Sequence, residues 1–209
     1  IETRAVMGGG QYATLKAFED IKDSLPFSLK GIDSDNDQAF INYHLKRFCD
    51  THKIQFTRGR PYKKDDNAHI EQKNWTHVIK ILGYIRYDSE EALELMNDLY
   101  CNELHWFQNF FQPSVKLFKK VRIGSKLKRI YDTPKTPFRR VCECKDADPE
   151  KVARLKKLFL SLYPFELSQS IDKKLDQIYG VATKKLKFQR TSLAEFSKKE
   201  IALSLSSYG

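Results

Sequence analysis

Short apolar segments alternate with amphipathic helices along the first half of the chain, and this order is the strongest constraint on the fold. Three segments are typical of strands because they are short, β-prone and bounded by turn residues. They are residues 1–7, 27–32 and 53–57. Strands separated by helices indicate an α/β sheet covered by helices. The sequence therefore predicts an α/β core in the amino-terminal half.

Apolar residues recur at helical spacing between and after these strands. We expect Asn36 to cap the second helix and Ser89 to begin a long helix that runs to about Phe110. Trp75 and Trp106 lie within apolar helical patterns, so we expect both side chains to be packed. The other predicted helices cover residues 11–25, about 65–82, 149–163 and 167–179.

Charge and composition limit the classes of function. The chain has 209 residues and a net charge of +10, which favours a polyanionic partner, most commonly DNA. No apolar run approaches the roughly 20 residues that span a bilayer, so we expect a cytoplasmic protein with no membrane partner. The four cysteines are irregularly spaced and no histidine pair accompanies them, which indicates a reducing compartment and no structural zinc site.

A basic segment follows the predicted α/β core. Lys116, Lys119, Lys120 and Arg122 open a run of cations around Gly124, interleaved with apolar residues. We expect this segment to bind DNA phosphates, as an extended arm or a small folded extension. The alternative is a solvated linker. The predicted domains are a catalytic core over 1–112, a basic connector over 113–145 and a helical tail over 146–209.

Two carboxylates stand where two-metal phosphoryl transfer would need them, because that chemistry uses acidic side chains that converge on divalent ions. Asp35 directly follows a predicted buried strand, and Glu71 lies about one turn into a helix that a basic loop precedes. There are 35 residues between them. Asp33 competes with Asp35 for the same role. Carboxylate oxygens suit Mg²⁺ or Mn²⁺.

The stretches that carry these acids resemble retroviral-type integrases. GIDSDNDQAFIN (31–42) is similar to their second-aspartate motif, and RPYKKDDNAHIEQKNW (60–75) is similar to their glutamate motif. The spacing between the two acids is that of the same superfamily. Together with NFFQPSVKL (109–117) and YDTPKTPFRR (131–140), they look like bacterial insertion-sequence transposases with an integrase catalytic region. The resemblance covers roughly residues 1–145.

This resemblance implies a DDE-type enzyme that cuts and joins DNA with Mg²⁺ or Mn²⁺. The implied fold is a ribonuclease-H-like core, with a mixed sheet flanked by helices, that lacks its first strands. The family pattern places asparagine after the aspartate and so selects Asp35, which with Glu71 would fill two of three metal-ligand positions. Asp37 departs from the family's usual glycine, and Ala39 from its common glutamate.

The family's third metal ligand is an aspartate that comes first in the sequence. It lies upstream of the family segment that residues 1–7 resemble. The chain opens at Ile1 without a methionine, so we expect a fragment that is inactive alone. The resemblance also implies element ends and target DNA as partners, a homo-oligomer on DNA, and a location at the bacterial nucleoid.

Basic and amide side chains cluster around Glu71 in the sequence. Because cations beside a metal site hold the phosphate backbone, we expect these residues to bind DNA. They are Arg58, Arg60, Lys63, Lys64, Asn67, Lys73 and Asn74.

Two rival hypotheses stay open. One is a nuclease of the same fold, such as a Holliday-junction resolvase or a ribonuclease H, which the glutamate and connector motifs disfavour. The other is a non-catalytic DNA-binding remnant of a decayed mobile element. The missing first aspartate fits that remnant as well as it fits a fragment.

Overall fold

The computed structural model describes residues 1–35, 40, 42–60 and 68–182. In this part of the chain the fold is mixed α/β, with two separate two-stranded sheets. Strands β1 (Gly31–Ser34) and β2 (Gln55–Arg58) are parallel, and β3 (Leu117–Ile123) and β4 (Lys126–Tyr131) form an antiparallel hairpin. The expected mixture of helices and strands is confirmed.

Helices make up most of the remaining structure. The fourth helix starts at Ser89 as predicted, and the Ser89 side chain caps it by accepting a hydrogen bond from the backbone N–H of Ala92. The first four are α1 (Gln11–Ser24), α2 (Tyr43–His52), α3 (Ala68–Asn74, a π-helical turn Trp75–Ile79, and Lys80–Leu82) and α4 (Glu90–Cys101). The others are α5 (Glu103–Trp106 with a π-helical turn Phe107–Phe111), α6 (Pro137–Cys142), α7 (Pro149–Leu160) and α8 (164–182).

A small core holds β1, α2 and β2 together. Burial alternates along β1, so that Ile32 and Ser34 face inward while Asp33 is exposed. One side of α2 packs against this inward face, because its apolar residues recur at helical spacing. The buried members of this cluster are Ile32, Leu45, Phe48, Cys49 and Ile54.

Two predicted boundaries in this unit were wrong. β1 begins at Gly31 rather than at Phe27, which instead forms an antiparallel bridge with Ala147. α2 is capped by Asn42, whose side chain accepts a hydrogen bond from Leu45 N at 2.8 Å. The cap predicted at Asn36 lies outside the described residues, and the helix starts later than expected.

The strand predicted over residues 1–7 is absent from the described structure. Side chains of two helices form hydrogen bonds with the backbone of this segment instead. Asn97 on α4 accepts a hydrogen bond from Ala5 N at 2.9 Å and donates one to Ala5 O at 3.0 Å. Asn109 on α5 donates to Ile1 O at 2.9 Å. The segment therefore lies along two helices without joining a sheet.

The single long helix predicted from Ser89 to Phe110 is interrupted. Asn102 has φ −117° and ψ −106°, which is not helical, and it separates α4 from α5. Its side-chain amide donates to the backbone oxygen and to a carboxylate oxygen of Asp98. Asparagine competes in this way with helical backbone bonding, which accounts for the break.

A second core joins the carboxy-terminal helix to the middle of the chain. Ile171 and Ile178 on α8 pack against Leu82, Leu99, Tyr100 and Leu104. Lys174 on the same helix contacts carboxylates of Asp98 (2.5 Å) and Glu103 (2.6 Å). The predicted tail over 146–209 thus contributes residues to the core of α3, α4 and α5. Residues 183–209 lie outside the described part.

Among the described residues, no helix combines the length and the apolar character that a transmembrane span requires.

Candidate metal and nucleic-acid site

The carboxyl ends of the parallel strands bring Asp35 and Arg58 together. Ser34 pairs with Arg58 in the register of β1 and β2, and Gly59 N donates to Ser34 O at 3.1 Å. Asp35 follows Ser34 directly and is half-buried, whereas Arg58 is exposed. Ligands of open α/β sheets bind at this end of the strands.

Asp33 has a structural partner on the neighbouring strand. Its carboxylate accepts a hydrogen bond from Thr57 Oγ1 at 2.8 Å, on the exposed face of the parallel pair. This contact ties the Asp33 side chain to β2. Asp35 lies one residue beyond the paired residues of β1, at the carboxyl end of the strand.

A buried hydroxyl lies beside Asp35. Ser34 is 5% exposed, and its Oγ has no hydrogen-bond partner among the described residues. A buried polar atom without a partner costs about 1–3 kcal/mol. An unsatisfied oxygen therefore sits next to Asp35 at the carboxyl end of β1.

Glu71 is exposed in the first described turn of α3. Lys73 and Asn74 follow it on the same helix and are also exposed. Arg60 is exposed after β2. The predicted DNA-binding residues Lys63, Lys64 and Asn67 lie outside the described residues.

The two predicted metal ligands supply the donor chemistry of a divalent cation site but not a complete donor set. Asp35 and Glu71 offer carboxylate oxygens, which Mg²⁺ and Mn²⁺ accept as ligands. Within the described ranges, no cluster of three or more His, Cys, Asp or Glu side chains is arranged to hold a metal ion.

His77 lies two turns along α3 from Glu71, and its Nδ1 is buried without a partner among the described residues. Burial, and secondly the positive charge of Lys73, lower the pKa of His77 below its ordinary value. A neutral ring at pH 7 follows.

Trp75 contradicts its sequence prediction. Its side chain was expected to be packed, yet the residue is 50% exposed, and its ring contacts Tyr84 with centroids 6.4 Å apart. Trp106 is half-buried, which is closer to the packed side chain that was expected. Periodicity places Trp75 on an apolar stripe, but the described residues leave half of it exposed.

The basic connector forms the β3–β4 hairpin, which the sequence analysis did not predict as strands. Gly124 makes the turn with φ +61°, a conformation that favours glycine. The signal in the sequence is Gly124-Ser125 between two β-prone runs. Every strand side chain is exposed except Val121 and Ile130, which are half-buried.

The register divides the hairpin's cations between two faces. Lys120 pairs with Arg129, and Arg122 with Leu127, so these side chains project from one face. The half-buried Val121 and Ile130 lie on the opposite face. We call the exposed face, with Lys120, Arg122 and Arg129, the arginine face. The other is the lysine face, with Lys119, Lys126 and Lys128.

The hairpin carries positive charge without compensation. Residues 114–131 contain no acid, and no ion pair among the described residues involves any cation of the two strands. Lys120 stands directly opposite Arg129, and like charges in that position destabilise a strand pair. Such a surface favours a polyanionic partner.

The chain is similar to an uncharacterized bacterial protein. The chain is 37% identical over 126 residues, which is 60% of its length, to the uncharacterized protein y4rM of Sinorhizobium fredii (strain NBRC 101917 / NGR234). The match spans 36% of that protein's length, so the chain corresponds to about a third of it. No family model matches the chain.

Proposed function

We propose that this chain is part of an integrase or transposase that cuts and joins DNA, with Asp35 and Glu71 as ligands of the catalytic metal ions. One observation carries the proposal: the parallel β1–α2–β2 unit presents Asp35 beside Arg58 at the carboxyl ends of its strands. The chain then continues through Arg60 to the helix that bears Glu71. This strand–helix–strand–helix order supports a ribonuclease-H-like core.

The donor atoms support Mg²⁺ or Mn²⁺ as the metal. When bound, such ions activate water and stabilise the attacking and leaving oxygens of a phosphoryl transfer. Asp35 and Glu71 would hold the metal through carboxylate oxygens. The exposed guanidinium groups of Arg58 and Arg60 would hold the phosphate backbone beside them. The resemblance to integrases implies a third carboxylate outside these motifs.

The hairpin supports DNA as the partner. A two-stranded β-ribbon fits the major groove of duplex DNA, and phosphate contacts by lysine and arginine supply sequence-independent affinity. The arginine face is fully exposed and lacks acids, so it suits this role. The same charges would also serve a DNA-binding remnant without catalysis, which remains the second candidate. The expected homo-oligomer on DNA rests on the family resemblance.

Assays of DNA joining test the proposal. The complete gene product that contains these 209 residues is incubated with pre-cut element ends, plasmid and Mg²⁺. Joined product supports the proposed function, whereas cleavage without joining indicates a nuclease. DNA binding with neither product indicates the non-catalytic remnant. The Glu71→Gln variant is the control, since it should bind DNA but neither cut nor join it.

A further inference from the structure

Two aromatic rings lie exposed along α3, one in the middle of the helix and one just after its end. Trp75 is 50% exposed and Tyr84 is 81% exposed, with ring centroids 6.4 Å apart and planes inclined by 47°. Gly83, with φ +70°, ends the helix between them, and this turn lets Tyr84 approach Trp75. Large aromatic side chains are usually well buried, so a paired exposed set indicates a binding surface.

The position of these rings relates them to Glu71. Trp75 follows Glu71 by four residues on a continuous helix, and side chains at that spacing are neighbours on one face. The π-helical turn of α3 begins at Trp75, and such turns occur often at functional sites. Lys73 and Lys80, on the same helix, are exposed.

We propose that Trp75 and Tyr84 form a stacking platform for unpaired bases of nucleic acid whose backbone is bound beside Glu71. The inference rests on the proposed function and adds a second contact to it. Aromatic rings stack on bases of any sequence, and cations elsewhere on the same helix would bind phosphates of the strand. An unpaired DNA end next to the metal ligands is the substrate that this arrangement fits.

The size and surroundings of the patch favour nucleic acid over a second copy of the chain. A standard protein interface buries about 800 Å² on each partner, whereas an aromatic side chain buries about 150–250 Å². Two rings supply too little apolar area for such an interface. They are sufficient for one or two stacked bases.

Tryptophan fluorescence tests the platform directly, because the chain has only two tryptophans, Trp75 and Trp106. The Trp106→Phe variant of the full chain reports on Trp75 alone, and Trp75→Phe reports on Trp106. Each is titrated with oligothymidylate, with duplex carrying a single-stranded overhang, and with blunt duplex. We expect oligothymidylate and the overhang to quench Trp75 strongly, and Trp106 to change little.

Affinity measurements supply the second readout. Tyr84→Ala and Trp75→Ala should weaken overhang binding at least about fivefold, the lower end of the cost of losing one stacked base. Blunt-duplex binding should change less. Tyr84→Phe keeps the ring and should retain the affinity, and circular dichroism establishes that each variant is folded.

Different failures have different meanings. If the chain binds overhang and blunt DNA alike and Trp75 emission is unchanged, the platform is wrong and DNA binding stands. If the alanine variants alter sedimentation of a dimer but not DNA affinity, the rings form a contact between copies, and the platform is wrong again. If the chain binds no DNA in any form, the proposed function and the platform both fail.

Discussion

Arg140 on α6 holds Asp132, the residue that follows β4. Its Nη1 donates to Asp132 Oδ2 at 2.6 Å and its Nη2 to Asp132 Oδ1 at 3.3 Å, while Nη2 also donates to Ser114 O at 2.7 Å. Asp132 Oδ1 further accepts from Lys116 N at 2.6 Å. This ion pair closes the base of the hairpin. The nearest acid in the sequence is thereby engaged, and the strand cations above it form no ion pair with any other described residue.

The hydrogen bonds of Asp132 predict that the hairpin is sensitive to acid. The Arg140 hydrogen bond, and next that from Lys116 N–H, lower the pKa of Asp132 to about 2. The unfolded carboxyl has a pKa near 3.9. The contribution of this carboxylate is therefore complete above that pH and declines as pH falls towards about 2. The protection factors of the amides in residues 117–131, which are corrected for the slower intrinsic exchange at acid pH, should fall across this range.

Substitution checks the same ion pair at neutral pH. Asp132→Asn should accelerate hairpin exchange at pH 7, whereas Asp172→Asn, an exposed change of the same type on α8, should not. Equal exchange in Asp132→Asn and the unaltered protein would show that the ion pair does not hold the hairpin.

The two faces of the hairpin predict unequal roles in DNA binding. Changing Lys120, Arg122 and Arg129 to glutamine should weaken binding to all sequences and flatten its salt dependence, by about 0.9 in slope for each phosphate that is no longer neutralised. The matched control changes Lys119, Lys126 and Lys128 to glutamine, which removes the same charge from the face that carries the half-buried residues. Equal effects of the two triple variants would contradict a specific arginine face.

Asn97 should contribute to stability through the backbone of Ala5. Asn97→Ala removes one accepted and one donated hydrogen bond, each worth about 0.5–1.5 kcal/mol, so we expect a loss of about 1–3 kcal/mol in the free energy of unfolding. Chemical denaturation measures it. Gln169→Ala, an exposed change on α8, is the control. No loss in Asn97→Ala would mean that residues 1–6 do not depend on α4.

The core position of α8 predicts a large packing effect. Ile178 is 0% exposed among Leu82, Leu99 and Tyr100, and Ile178→Ala should reduce the free energy of unfolding by about 2–5 kcal/mol. Leu160→Ala removes similar apolar volume from a residue that is 82% exposed and should change stability little. A small loss of stability in Ile178→Ala would indicate that α8 forms a separate unit, as the predicted domain boundary at residue 146 implies.

Local signals in the sequence predicted much of the fold. β1 and β2 were expected within a few residues of their positions because short apolar runs bounded by turns form strands. Ser89 was expected at the start of a helix, where its side chain satisfies a backbone donor. Asp35 lies directly after β1, because the strand ends at Ser34, two residues beyond its predicted end.

The sequence-based predictions failed where a segment's partners are distant in the sequence, or where a segment lacks a periodic pattern. Residues 1–6 find their backbone partners in Asn97 and Asn109, which no local pattern reveals. The hairpin has cations on both faces, so its sequence lacks the apolar–polar alternation of a half-buried strand. Periodicity places Trp75 on a helix stripe but does not say whether another element covers that stripe.

The central claim is that Asp35 and Glu71 share a divalent ion, and paramagnetic broadening of amide signals by Mn²⁺ tests it most directly. Addition of Mn²⁺ to the 209-residue chain should broaden the amides around Asp35 and around Glu71 together. Asp35→Asn or Glu71→Gln should abolish the broadening in both segments, while Asp33→Asn should leave it. Broadening that survives in Glu71→Gln, or that disappears in Asp33→Asn, would contradict the assignment of these two carboxylates.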